Sequence, residues 1–543
     1  MSIKSFASRY LLALAAGLLL ALAFPKFSLA GFAWISPALM LAAAHGKSGS
    51  ESFRIGYVSG LAFWLASLYW LLLIPVTGFP ILGWLALSAF VALFWGVWVW
   101  LISNFKFQIS NWTSRTLWTL AGAALWVALE MLRARIFSGF PWSFLGVSQY
   151  QLIPLIQIAS FTGVYGVSFL VVWFSLALYS AGLMIFRHPT RRHVWQAEIV
   201  LPMLAIVGCY VGGFFAMNRR VANEPILRVT AIQPSVPQTL IWSSSADAKR
   251  FQDLLDLSQQ ALTNRTDLLV WPESAVPSID EPTYQAINQF VRSNHVWLIL
   301  NAEDVAIEPT ATNYFNAAFL VGPDGRWHLP AYHKRRLVIF GEYVPLADWL
   351  PFLKYLTPVT GGWTPGEKPI PFEMELERPT LVRLNETNKT ADLRIGAPVR
   401  AKTCPLICFE DTFSGAARDA AADDTDFLIN LTNDGWFQES AEQRQHLANA
   451  VFRAVENGLP LLRCANNGVT GLIDRHGRLE RIFRDARGSE YGPGALTVDI
   501  PLRSPAAKPA PTFYHRHGDE FGWSCVAVAS LLLLRKLLLA RKS

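Results

Sequence analysis

Three short segments carry residue types that could do acyl chemistry together. Ile407-Cys408-Phe409-Glu410 sets a cysteine beside a glutamate at the end of an apolar run, and Trp271-Pro272-Glu273-Ser274 ends a second run in a carboxylate. Tyr332-His333-Lys334-Arg335-Arg336 adds an ammonium. A thiol is only partly ionised near neutral pH, so a catalytic cysteine needs a base to take its proton or a cation to favour its thiolate. Glu273 is the candidate general base, Lys334 the candidate stabiliser of thiolate and oxyanion, and Cys408 the candidate nucleophile. Each also has a plainer reading. A cysteine in an apolar strand is more often a core residue, a loop glutamate is often an ion-pair partner, and adjacent cations can face anionic headgroups.

Supporting groups lie close by in the chain. Glu342, in Gly341-Glu342-Tyr343, adds a carboxylate able to position Lys334 or the base, and Glu410 would share a strand face with Cys408. Trp242 and Trp436 follow strand-like runs and would line an acyl or headgroup entrance. The aromatic stretch 137–150, with Gly139-Phe140-Pro141-Trp142, reads first as an interfacial belt.

The elements that must hold these groups are short apolar runs at 227–232, 268–271, 297–300, 317–321, 405–409, 427–431 and 459–463, alternating with helical or loop segments. The pattern predicts an α/β or α+β domain. Several runs end in Gln233, Glu273, Asn301, Glu410 or Thr432-Asn433, which suggests one shared site at strand ends. Residues 440–457 read as a helix with Ser440 and Gln443 as a capping box and Gly458 as its stop. The charged stretch 372–402, with Glu373, Glu375, Glu377, Arg378, Asn385 and Asn388, reads as a surface insertion or loop.

The chain has 543 residues, of which 52% are hydrophobic, too long for one domain and too apolar to be wholly soluble. The apolar residues concentrate in 1–217, where twelve Lys or Arg face only Glu51, Glu130 and Glu198. Eight membrane-length runs are expected near 8–24, 28–45, 55–75, 80–103, 115–135, 165–186, 197–217 and 521–540. Lys4, Arg9, Lys47, Arg54, Lys106, Arg115, Arg187, Arg191, Arg192, Arg535, Lys536 and Arg541 then fall on one side, which puts both termini in the cytoplasm and 218–520 outside. Lys26, Arg133 and Arg135 are exceptions expected to snorkel. The first run also has signal-peptide features ending at Ala21-Leu22-Ala23, but alternation of the spans favours its retention. The five cysteines show no metal or disulfide pattern, and Cys404 and Cys408 would stand about 13 Å apart along a strand.

Taken in order, these motifs resemble the nitrilase superfamily and, within it, the membrane-embedded apolipoprotein N-acyltransferase family. The resemblance runs from Gly139-Phe140-Pro141-Trp142 through Gln233-Pro234, Trp242, the three catalytic motifs, Asn433-Asp434-Gly435-Trp436-Phe437 and Asn466-Asn467-Gly468. It implies an αββα sandwich of two β-sheets on an eight-helix membrane bundle: 1–217 as seven helices, 218–520 as a periplasmic catalytic domain, and 521–543 as a last helix and tail. It implies a Glu273, Lys334, Cys408 triad supported by Trp242, Glu342, Phe409, Glu410 and Trp436. The implied reaction moves an acyl chain from a glycerophospholipid, typically phosphatidylethanolamine, to the α-amine of a diacylglyceryl-cysteine apolipoprotein by a ping-pong thioester. This is the last step of bacterial lipoprotein maturation. No cofactor, metal or nucleic acid is implied, and a monomer in the inner membrane is expected. Phe409 stands where the family often has Tyr, and the span from Lys334 to Cys408 is longer than in familiar members. Cys404 and Cys464 are read as packing residues. A membrane-tethered amidase with the same triad, and a transporter with an outer sensor domain, are the competing readings.

Overall fold

The computed structural model describes residues 3–540 except 105–110, 188–195, 219–224, 264, 310–311, 346, 348, 351–361, 377–378, 382–392, 396–398 and 504–510. Lys106, Arg191, Arg192, Glu377, Arg378, Asn385, Asn388 and Arg541 of the sequence reading therefore lie outside the described residues. The N-terminal part is helical: α1 (Ile3–Leu22), α2 (Ser36–Ala43), α3 (Ser50–Ser67), α4 (Phe79–Asn104), α5 (Trp112–Arg133), the single turns α6 (Ile153–Ile156) and α7 (Ala159–Thr162), α8 (Val164–Arg187) and α9 (Gln196–Met217). Small residues let α1, α3 and α4 approach closely. A Cβ on Gly17 would lie 2.1 Å from the Ser59 carbonyl oxygen, and one on Gly56 would lie 2.7 Å from that of Trp95.

Among the described residues, four helices are long and apolar enough to cross a bilayer: Phe79–Asn104, Val164–Phe186, Glu198–Met217 and Glu520–Leu538. The expected span at 28–45 is instead a 3-10 turn, Ala30–Trp34, followed by eight-residue α2. At about 1.5 Å per residue α2 covers less than half a hydrocarbon core. Arg133 does not snorkel. It is 4% exposed and donates to the carbonyls of Phe140 (3.0 Å) and Trp142 (2.8 Å), while Glu130 accepts from the Leu145 amide at 2.8 Å. This pair shapes the 139–145 loop, so its aromatic residues are not an interfacial belt: Trp142 and Phe144 are buried, and Phe137 stays 73% exposed.

The domain that follows contains β1 (Ile226–Gln233), α10 (Gln238–Ile241), α11 (Asp247–Ala261), β2 (Leu268–Val270), α12 (Glu281–Asn294), β3 (Trp297–Ile307), β4 (Thr312–Val321) and β5 (Trp327–His333). Next come β6 (Phe372–Leu376), β7 (Pro379–Leu381), β8 (Leu393–Ile395), β9 (Val399–Ile407), α13 (Ser414–Ala420), β10 (Phe427–Thr432), α14 (Glu442–Asn457) and β11 (Leu461–Ala465). The chain closes with β12 (Gly471–Ile473), β13 (Leu479–Ile482), β14 (Gly494–Pro501), α15 (Phe513–His517) and α16 (Glu520–Ala540). Two six-stranded sheets result, ordered β14-β1-β2-β3-β4-β5 and β13-β12-β11-β10-β9-β6. Within them β1-β2-β3 and β9-β10-β11 run parallel. Central strands covered on both faces read as continuous apolar runs, as in fully buried β10 and β11. The sheets face each other closely enough for the Cys464 thiol of β11 to lie 3.3 Å from the Ile232 carbonyl oxygen of β1.

The expected 372–402 loop contains strands: β7 and β8 pair antiparallel as a separate two-stranded sheet, β9 begins at Val399, and β6 opens the stretch. Phe372, Met374 and Leu376 are buried, Glu373 and Glu375 point outward, and β6 pairs antiparallel with β9. The alternation outweighs the charge content.

Helix α14 is buried along its length except at Arg444, because the second sheet covers one side and the helical bundle the other. Gly458 (φ 64°) ends it as the sequence suggests, and the Ser440 amide donates to Gln443 Oε1 at 3.0 Å. Gln445 is the polar joint of this interface. Its oxygen accepts from the indoles of Trp70 (3.1 Å) and Trp142 (2.9 Å), and its nitrogen donates to the carbonyls of Pro25 (3.0 Å) and Ser67 (3.2 Å). Replacing Gln445 by Leu strands two buried indole N–H groups and two carbonyls. The expected loss is about 2–4 kcal/mol, read as a lowered thermal midpoint in detergent; an unchanged midpoint would contradict the joint.

Candidate active site

The strand ends carry the three groups singled out from the sequence to one place. Glu273 follows β2, Lys334 follows β5, and Cys408 follows β9 at a sharp turn with φ 51°, a left-handed conformation uncommon for cysteine. The Lys334 ammonium is 1% exposed and lies 2.6 Å from Glu342 Oε1 and 3.4 Å from Glu273 Oε1. Burial alone would lower its pKa, but Glu273, Glu342 and Cys408 together hold it well above the ordinary lysine value, so it stays charged.

Glu273 is held from three directions. Besides Lys334, Asn316 Nδ2 donates to its Oε1 at 2.9 Å, and the Asn433 amide donates to its Oε2 at 3.0 Å. Glu342 is fixed by the Val338 amide at 2.8 Å and accepts from Asn316 at 3.4 Å. Asn316 is in turn gripped by Asn301, whose Nδ2 lies 2.6 Å from Asn316 Oδ1. Cys408 is half-buried, and its thiol is pushed well above the ordinary value by burial and by the Glu273 carboxylate, against the pull of Lys334.

Glu410 does not share a strand face with Cys408, because the strand stops at Ile407 and Cys408–Thr412 coil into a 3-10 turn. The turn folds Glu410 back beneath the nucleophile. There it accepts from the amides of Ile407 (2.7 Å), Arg335 (2.7 Å) and Arg336 (3.1 Å) and from the Tyr332 hydroxyl (2.7 Å). Glu410 thus ties the turn after β9 to the end of β5. The expected cationic run divides: Lys334 enters the site, Arg335 pairs with Asp419 at 2.7 Å, and Arg336 lies 5.5 Å from the Phe413 ring.

Phe409 is packed among aromatics of both parts of the chain, 6.2 Å from Trp142, 6.4 Å from Phe140 and 5.1 Å from Phe413 between ring centroids. Trp242 and Trp436 meet edge to face at 5.2 Å, with Trp242 47% exposed. Gln233 does not join the site; its side chain donates to the carbonyls of Glu490 and Gly492. Cys404 and Cys464 are buried in the sandwich, the former with its thiol pushed up to about 12 by burial.

Sequence reading gave no role to Asn316, to Tyr332 or to the buried charges Asp411, Asp434, Glu442, His446 and Arg463, although Tyr332 and Asp434 fall inside its motifs. Asn316 has a signal of its own, a polar residue opening the apolar run 317–321. The charges converge only through folding. Donor atoms of Asp434, Glu442 and His446 lie within 4.8 Å of one another, the spacing of a cation site. Both His446 nitrogens already face carboxylates, Nε2 at 2.7 Å from Asp411 and Nδ1 at 2.9 Å from Asp434, and Arg463 also pairs with both acids. That donor set is an internally neutralised ion cluster with no ring lone pair left for a metal.

Residues 16–177 match the family model described as the apolipoprotein N-acyltransferase N-terminal domain, and residues 228–502 match that of the carbon-nitrogen hydrolases. The chain is 34% identical over 548 residues to an apolipoprotein N-acyltransferase of Geobacter metallireducens, covering 97% of this chain and 96% of the relative. It is 29% identical over 555 residues to one of Bradyrhizobium diazoefficiens, covering 97% and 95%. Among solved structures, an amidase from Nesterenkonia sp. aligns with 52% of this chain and 93% of its own at 19% identity and a TM-score of 0.30. A carbon-nitrogen hydrolase from Helicobacter pylori aligns with 51% and 89% at 16% identity and a TM-score of 0.34.

The raised Cys408 thiol has a measurable consequence. Alkylation of Cys408 by iodoacetamide, followed by peptide mass, should still be rising beyond pH 9, and Glu273→Gln should move its midpoint down by removing a nearby negative charge. A wild-type plateau below pH 8 would contradict this electrostatic account.

Proposed function

Because the chain belongs to the apolipoprotein N-acyltransferase family and is an N-acyltransferase, we propose that Glu273, Lys334 and Cys408 carry out the transfer through a cysteine thioester. The donor in this reading is a glycerophospholipid such as phosphatidylethanolamine, and the acceptor is the α-amine of a diacylglyceryl-cysteine apolipoprotein. The observation that carries it is the buried Lys334 ammonium set between Glu273 and Glu342 and coupled to the Cys408 sulfur.

The chemistry proceeds in two halves. Glu273 takes the thiol proton as Cys408 attacks the phospholipid ester carbonyl, forming the C–S bond. Lys334 and a backbone N–H near Phe409 hold the oxyanion. Collapse breaks the ester C–O bond, and Glu273 returns the proton to the departing lysophospholipid. The acceptor amine then attacks the thioester, its proton passes through Glu273 to the sulfur, and an amide and free thiol remain. Moving a proton from Cys408 to Glu273 leaves the net charge around Lys334 unchanged. This makes the internal transfer cheaper than losing the proton to solvent.

We also read 1–217 as a seven-segment membrane bundle, 218–520 as a periplasmic domain and 521–543 as a final helix and tail. The eight-segment count takes the 3-10 turn and short α2 of 28–45 together as one incomplete, re-entrant or tilted crossing, and with it both termini are cytoplasmic in the inner membrane and the enzyme is a monomer. The charge asymmetry of the short loops supports that orientation. Glu342 and Glu410 position Lys334 and the cysteine turn, while Trp242, Phe409 and Trp436 present apolar surface to an acyl chain. The packing of Phe409 against the bundle residues Phe140 and Trp142 favours a lipid donor over the small amide of a tethered amidase.

The test is transfer in detergent from phosphatidylethanolamine to a synthetic diacylglyceryl-cysteine peptide, read by mass. Wild type should add one acyl chain to the peptide amine. Cys408→Ala should lose the activity, and Glu273→Gln should fall about 10²–10⁴-fold. Full transfer by Cys408→Ala, or release of free fatty acid in place of the acylated peptide, would overturn the reading.

A further inference from the structure

The buried ion cluster behind the nucleophile has no role in the chemistry above. Asp411, Asp434, His446 and Arg463 are all 1% exposed or less. Burial alone would keep the His446 ring neutral, but Asp411 and Asp434 bring its pKa up to about 10, so two carboxylates face two cations. Burial and Asp434 push the nearby Glu442 carboxyl well up, which favours its neutral form. Thr432 links the cluster to the nucleophile. Thr432 ends β10 fully buried, and its Oγ1 donates to Asp434 Oδ1 at 2.9 Å. The parallel register of Leu431 with Ile407 sets Thr432, the next residue, beside Cys408, the residue after Ile407, and the threonine hydroxyl favours the thiolate form of that sulfur.

We propose that Thr432 is a further catalytic residue, one that accepts from the Cys408 thiol at rest and donates to the sulfur once the proton has moved to Glu273. A hydroxyl has one proton and two lone pairs, so donating to Asp434 leaves it free to accept the S–H. Turning that proton to the thiolate requires giving up Asp434. The exchange strands nothing, because Asp434 Oδ1 keeps His446 Nδ1 at 2.9 Å and Oδ2 keeps Arg463 at 3.2 Å. The charged groups coupled to the sulfur are Glu273 after β2, Lys334 after β5 and Asp434 after β10. Thr432 is the hydroxyl among them, able to follow the charge without titrating. His446 and Arg463 are positioning residues that act through Asp434.

This proposal rests on Cys408 being the nucleophile, and its test separates the two. In the full-length enzyme in detergent, the pH profile of Cys408 alkylation and the single-turnover rate of acyl-enzyme formation from phosphatidylethanolamine are measured for Thr432→Val, Thr432→Ala and Thr432→Ser. Val and Ala should move the alkylation midpoint to higher pH and slow acyl-enzyme formation about tenfold or more with KM for phospholipid unchanged. Ser, which keeps the hydroxyl, should restore both. Wild-type midpoints and rates in a folded Val or Ala variant would overturn the proposal, as would equal losses in Ser and Val, which assign Thr432 to packing. Failure of the nucleophile reading itself is seen elsewhere, as transfer activity surviving in Cys408→Ala.

Discussion

A lysine ammonium with 1% of its surface exposed is the constraint around which the catalytic domain is arranged. Removing such a charge from water costs several kcal/mol unless opposite charge and hydrogen bonds meet it in good geometry. Glu342 meets it from the loop after β5 and Glu273 from the end of β2. Glu273 in turn is held by Asn316 of β4 and by the Asn433 amide after β10. One buried cation therefore fixes the relative positions of four strands drawn from both sheets, β2, β5 and β10 at their ends and β4 at its middle. The nucleophile arrives at a fifth, on a left-handed turn anchored by Glu410.

The membrane half takes part in the same arrangement. Arg133 and Glu130 shape the loop that presents Trp142, and Trp142 reaches Phe409 beside the nucleophile, His446 in the ion cluster and Gln445 on α14. A single buried tryptophan thus touches the cysteine turn, the charge network and the domain joint. In the reaction proposed above, this adjacency would let a lipid held by the helical bundle meet the thiol without entering bulk water, as a thioester intermediate needs if it is to wait for an amine.

The convergence of the candidate residues and most parallel strands were legible because burial on both faces leaves continuous apolar runs, and a polar residue closing such a run stands out. Glu273 and Glu410 stand out that way, Cys408 by its place at the end of the run 405–409, Lys334 by its run of cations, and the helix 440–457 by its cap and its stop. Gln233 closes a run in the same manner yet bonds elsewhere, since the pattern does not say which side of the sandwich a strand end faces. Strand β6 was hidden because outward-pointing Glu373 and Glu375 dominate its composition. The aromatic loop 139–145 and Arg133 were misplaced because membrane-interface chemistry and buried domain-joint chemistry use the same residue types. Asp411, Asp434, His446 and Arg463 lie on separate elements, and only the packing of α14 against β11 and the cysteine turn brings them together.

Intact-mass spectrometry of the enzyme incubated with phosphatidylethanolamine and no acceptor tests the central claim most directly, because it observes the charged site's covalent product. The account predicts a mass increase of one acyl chain, located on Cys408, removed by hydroxylamine and discharged when a diacylglyceryl-cysteine peptide is added. Active enzyme that carries no such adduct, or an adduct that the peptide does not discharge, would contradict it.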